Sequence, residues 1–118
     1  MAVVAMLLVG IVAVLHVGFL VLEMFYWDQP LGRKIFHTSP EFSKASAVLA
    51  ANQGLYNGFL AAGLFWGLSL GAAGTGVKVF FLCCVLVAGL YGAATASRRI
   101  LFVQAVPAAI ALALVFLA

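Results

Sequence analysis

Charge is what this sequence has least of. Of its 118 residues three are acidic and six are Lys or Arg, so 8% are charged while 67% are hydrophobic. A water-soluble domain carries roughly 25% charged and 45–50% apolar residues. So few charges cannot cover a water-facing surface, which excludes an ordinary soluble domain. The net charge of +3 comes from a handful of loop residues and reads as membrane topology rather than nucleic-acid binding. Cysteine is nearly absent. Cys83 and Cys84 are adjacent within an apolar run, with no C-x-x-C redox motif and no zinc spacing. As neighbours on a helix they point in different directions, so they read as small packing residues. No nucleophile–base pair, metal cluster or cofactor motif is visible, and neither a cofactor nor a metal is expected.

Long apolar runs are what the chain does have. A transmembrane helix needs about 20 mostly apolar residues, so 118 residues hold four spans and little else. The stretch Ala2–Leu22 lacks a basic leader, is too long for a signal core and is followed by no small-residue cleavage site. It is expected to remain as the first span. Spans are expected at about residues 3–25, 45–70, 77–96 and 100–118, with a charged loop over 26–44, a flexible turn "GAAGTG" and a tight "SRR" loop. In the first loop Pro30 and Gly32 read as helix breakers. The "SPEF" that follows reads as a helix start, with Ser39 as N-cap, Pro40 in the first helical position and Glu41 near the positive end of the dipole. Pro107 is expected to bend the last span and free a carbonyl near Val103.

The fold class is therefore all-α, a transmembrane four-helix bundle in one domain. Basic residues in short loops mark the cytoplasmic side. Arg33, Lys34 and Lys44 lie in the first loop and Arg98 and Arg99 in the third, while Lys78 lies opposite. That bias places both termini outside the cytoplasm, in a multi-pass protein of the plasma membrane. No internal repeat supports an inverted-repeat transporter within one chain.

The polar residues inside the spans are unevenly distributed in depth. Glu23 and His16 lie seven residues apart, almost two turns, so they face nearly the same way about 10 Å apart at 1.5 Å per residue. Asn52, Gln53, Tyr56 and Asn57 sit in the cytoplasmic half of span two, Tyr91 in that half of span three, and Gln104 in that half of span four. The outer halves, such as "VVAMLLVGIVAV" and "AIALALVFLA", are nearly devoid of polar groups. On span two the four polar residues cover one arc, while Gly54, Gly58 and Ala62 form one ridge of small residues and Gly63, Gly67 and Gly71 another. Ala88, Gly92 and Ala96 offer a third, on span three. Such ridges let helices approach closely in lipid. The expectation is a bundle dry outside, with a polar cavity in its cytoplasmic half walled by Glu23, Asn52, Gln53, Tyr56, Asn57, Tyr91, Gln104 and His16.

Each of these residues also has a duller reading. A carboxylate within a span is paired, protonated or functional; Glu23 could instead sit at the interface and pair with Arg33, Lys34 or Arg98. His16 alone cannot make a metal site, since zinc takes three or four protein ligands, and a lone His is more often a hydrogen-bonded packing residue. One or two amides can simply join membrane helices, but three amides and a phenol on one arc exceed what adhesion requires. Tyr26, Trp27 and Trp66 fit the aromatic belts at the membrane interfaces.

Five ordered motifs, "LEMFYWDQPLGRKIF" (Leu22–Phe36), "SPEF" (Ser39–Phe42), "AANQGLYNGFLAAGL" (Ala50–Leu64), "GLYGAAT" (Gly89–Thr95) and "ILFVQAVPA" (Ile100–Ala108), together resemble the bacterial DUF1304 family. The resemblance covers essentially the whole chain. It implies a small four-span protein of the plasma membrane with no assigned activity.

Three functions compete. The first is binding or transport of a small polar or amphipathic molecule in the cytoplasm-side cavity, with Glu23 meeting a cation or carrying a proton. One four-span chain is small for alternating access, so transport implies a homodimer, and membrane lipids surround it in any case. The polar-free outer half argues against an open water-filled pore. The second is a structural protein whose polar residues only hold helices or partners together. The third, and weakest, is a membrane enzyme on a lipid-derived substrate, with Glu23 as acid or base and no catalytic set evident.

Overall fold

An apolar chain with few prolines satisfies its backbone most simply as helix, and here it does so almost throughout. The structure, a computed structural model, describes all residues from Met1 to Ala118. It is all-α. In chain order it contains α1 (Ala2–Phe25), α2 (Pro30–Phe36), α3 (Pro40–Ser69), a 3₁₀ turn at Gly71–Gly74, α4 (Thr75–Thr95), a π turn at Leu101–Ala105, and α5 (Val106–Leu117). Two stretches, Ala2–Phe25 and Gly71–Thr95, are long and apolar enough to cross a membrane, and Leu101–Leu117 is a shorter apolar helix. At 30 residues α3 is the longest helix, but Glu41, Lys44 and the "NQGLYN" stretch lower its hydropathy, and it does not join the other two.

The chain divides into two compact units, one of Leu15–Phe59 and one of Met1–Val14 with Leu60–Ala118. In the first, α1 and α3 meet on the glycine ridge. A Cβ added at Gly54 would lie 2.8 Å from Met24 Cγ and 3.2 Å from the Leu20 carbonyl oxygen, and one at Gly58 would meet the Leu20 side chain. The connection between them holds α2, so the reading of Pro30 and Gly32 as helix breakers is corrected. Proline breaks a helix interior, but in the first turn its missing N–H would have had no partner anyway. Gly32 is buried against the backbone of Tyr26, where a side chain has no room. The helix closes on His37, in the left-handed conformation at φ 56°, and the Thr38 N–H donates to the Arg33 carbonyl at 3.1 Å. The next helix starts as the "SPEF" motif predicts: the Phe42 N–H donates to Ser39 Oγ at 3.2 Å, and the Ser43 N–H to the Ser39 carbonyl at 2.9 Å.

The second unit is packed from small and branched apolar residues. Ala5, Val9, Val12, Ala13, Leu64, Leu82, Val85, Ala108, Ala111 and Val115 form its core. Glycines admit close neighbours here: Gly63 lies under the Phe81 ring, Gly67 against Lys78, Gly89 against the backbone of Ala105, and Gly92 against Ile100. The "GAAGTG" turn is a short 3₁₀ helix entered through Gly71 at φ +61°. Pro107 acts one turn upstream of itself, as expected. It has no N–H to give the Val103 carbonyl, and the preceding turn widens so that the Val106 N–H bonds the Leu101 carbonyl, five residues back.

Candidate functional site around Glu23

The Leu15–Phe59 unit buries two groups that an apolar helix would avoid. Glu23 is 6% exposed and His16 fully buried, on the same side of α1 as their seven-residue spacing requires. The Asn57 carboxamide donates from Nδ2 to Glu23 Oε1 at 2.5 Å. Gly54 and Gly58 bring α3 close enough for this, because their missing side chains leave room for Leu20 and Met24 on either side of the carboxylate. His16 sits edge-on to the Phe19 ring, with centroids 5.0 Å apart. Arg33, a candidate partner for Glu23, is instead 3.0 Å from Asp28 Oδ1.

The polar arc of α3 does not act as one wall. Asn57 turns toward Glu23, whereas Asn52, Gln53 and Tyr56 are exposed. The reason is angular. At about 100° per residue the arc from Asn52 to Asn57 covers roughly 140°, and α1 takes up the ridge beside Asn57. Asn52 and Tyr56 lie far around the helix from that ridge. Of the four expected to line an interior surface, Asn57 alone is turned toward α1.

Tyr91 and Gln104 belong to the other unit. Tyr91 is exposed at one end of a shallow apolar groove along α4, lined by Phe80, Cys83, Cys84, Val87 and Ala88, rather than in a polar interior. Gln104 is half-buried within the π turn. No three His, Cys, Asp or Glu side chains are placed to hold a metal ion together.

A second polar cluster in the Leu15–Phe59 unit escaped the sequence reading. Asp28 Oδ1 accepts from Arg33 Nη1 at 3.0 Å and from Ser43 Oγ at 2.7 Å. One residue earlier, the Trp27 indole N–H donates to Ser46 Oγ at 3.0 Å, and its ring packs on Phe36 with centroids 4.9 Å apart. These bonds tie the end of α1 to α2 and to the first turns of α3. Trp27 is thus a half-buried clasp as well as an aromatic at a helix end. Ser43 was the available signal: a serine on the inner face of an amphipathic helix start asks for a partner.

A family model described as "Protein of unknown function (DUF1304)" matches residues 10–116. An uncharacterised protein, YpaA, of Lactococcus lactis subsp. lactis (strain IL1403) is 28% identical over 85 residues, 70% of this chain and 71% of its own. No solved structure matches the chain.

Proposed function

Since the chain belongs to the DUF1304 family, proteins of unknown function, its role must come from its own geometry, and we propose that it is a four-span protein of the plasma membrane that holds a small polar or amphipathic molecule at the Glu23–Asn57 pair. Support for the membrane comes from Ala2–Phe25 and Gly71–Thr95 and from large apolar side chains left exposed along them, such as Val3, Leu7, Val14, Phe80 and Val87. An apolar surface this extensive belongs against lipid. The shorter Leu101–Leu117 and the long α3 supply the other two spans. The basic residues Arg33, Lys34, Lys44, Arg98 and Arg99, against Lys78, orient the chain with both termini outside. The pair then lies toward the cytoplasmic side.

One observation carries the binding reading: a carboxylate buried in an apolar helix pair, with a single carboxamide holding one of its oxygens. A carboxylate has about four lone-pair sites, so capacity remains for a cationic or hydrogen-bond-donating ligand. The structural reading rests on the same bond, since it also joins two helices of one unit. Native mass spectrometry of the gently purified protein separates them. Binding predicts an extra mass on the wild type that Glu23→Gln and Asn57→Ala both lose. Adhesion alone predicts three bare proteins that differ in stability.

A further inference from the structure

On α3, within the Leu15–Phe59 unit, the exposed residues follow a rule. Ala45, Val48, Asn52, Leu55 and Phe59 are all exposed, at steps of three, four, three and four. This is the 3.5-residue spacing of a helix seam, with Leu49 and Tyr56 flanking it. The opposite face carries buried Ser43, Ala50 and Gly54. Val48 is 83% exposed and leaves the seam wholly unpartnered there. Apolar side chains on such a stripe are content in lipid. Asn52, at its centre, and Gln53 beside it are not: neither amide has a hydrogen-bond partner within the chain, and hydrocarbon supplies none.

We infer that this seam docks a second copy of the same chain, with Asn52 meeting Asn52 across a two-fold axis. The inference rests on the membrane placement of α3 proposed above. Two copies inserted with one topology run their α3 helices parallel, which brings each residue to the depth of its own counterpart. Only a self-complementary group gains from that meeting. A carboxamide both donates and accepts, so Asn52 satisfies its twin, whereas a Lys or Glu would repel it. A single Asn within an apolar seam is also the residue that sets register in paired helices. The seam from Ala45 to Phe59 is about 21 Å long at 1.5 Å per residue. No cation or anion lies along it, which matches an isologous contact and not a charged partner.

The test is oxidative cross-linking in membranes, in a Cys83→Ala, Cys84→Ala background. Single cysteines replace Val48, Leu55 and Phe59 on the seam, with Val17→Cys and Val21→Cys as exposed controls on α1. The seam positions are expected to give a covalent dimer at least several-fold above the controls. Adding Asn52→Ala weakens association about threefold to thirtyfold, the range of interhelical polar bonds in membranes, while Asn52→Gln keeps most of it. Membrane-bound protein with equal cross-linking at seam and control positions overturns the inference, and so does association indifferent to Asn52→Ala. Both results leave the membrane reading standing. Recovery in the soluble fraction overturns the two together. Because the seam cysteines leave Asn52 in place and sit on an exposed face, a folding defect in Asn52→Ala does not decide the result.

Discussion

The two units of this small chain are held by different physics. In Leu15–Phe59 specific polar bonds connect segments far apart in sequence: Asn57 to Glu23, Ser43 to Asp28, Trp27 to Ser46. In the unit of Met1–Val14 and Leu60–Ala118, glycine and alanine let backbones close on one another, and the hydroxyls of Ser69, Thr75 and Thr95 return to carbonyls of their own segments. Close packing tolerates little change in volume but is indifferent to chemistry. Polar pairing tolerates changes of shape and not the loss of a partner. The polar unit is therefore where binding or partner choice has material to work with, and the packed unit depends on volume alone.

A large effect is expected in the packed unit. A Cβ at Gly89 would lie 2.7 Å from the Ala105 backbone nitrogen and 2.9 Å from its Cα, and backbone cannot rotate aside as a side chain does. Gly89→Ala should cost about 2–3 kcal/mol, at the upper end of overpacking penalties, and lower the melting temperature in detergent. Gly10→Ala, in the interior of α1, is the internal control: nothing lies within 4 Å of a Cβ there, and it should be stabilising by up to about 1 kcal/mol, the helix preference of Ala over Gly. Equal melting of the two would break the contrast between the units, because the packed one would then have slack.

How much of this was readable beforehand depends on whether the signal was local. The helix start at Ser39–Pro40 and the disturbance ahead of Pro107 are local stereochemistry, and both are found where the residues put them. The shared direction of His16 and Glu23 follows from helical pitch alone. Pro30 misled because the same residue breaks a helix interior and opens a first turn, and only the neighbouring fold selects between them. Periodicity relates Asn52 to Asn57 but leaves the rotation of the whole helix free. Whether the arc faced inward was therefore set by the Gly54–Gly58 contact with Leu20 and Met24. The bonds of Asp28 and Trp27 span 15 and 19 residues, and no spacing rule announces them.

A middle-sized effect tests the polar unit at its centre. Asn57→Ala removes the donor and leaves a buried carboxylate oxygen without it, for a cost of about 1–3 kcal/mol. Glu23→Gln keeps an acceptor oxygen opposite Asn57 and should cost less than half as much. A double-mutant cycle on melting temperature gives the coupling. If Asn57→Ala and Glu23→Ala, each of which removes the bond, prove additive, the glycine ridge holds α1 to α3 by itself, and the polar unit is a packed unit with incidental polar groups.

The smallest effect isolates the first turn of α3. Ser39 Oγ accepts the Phe42 N–H at 3.2 Å in an exposed position, and loss of an N-cap hydroxyl typically costs about 1 kcal/mol. Ser39→Ala should therefore lower stability by about that much, with Ser39→Asp restoring it, since an aspartate oxygen caps equally well and favours the positive helix end. The location of the loss says more than its size. The clasp from Ser43 to Asp28 and from Ser46 to Trp27 lies in the next two turns. If it holds them independently of the cap, amide exchange should quicken at Phe42 and Ser43 and stay slow from Ala47 onward. Faster exchange as far as Asn57 would mean that cap, clasp and the Glu23 pair open as one cooperative element, and then a substitution at the rim of the polar unit reaches its buried carboxylate.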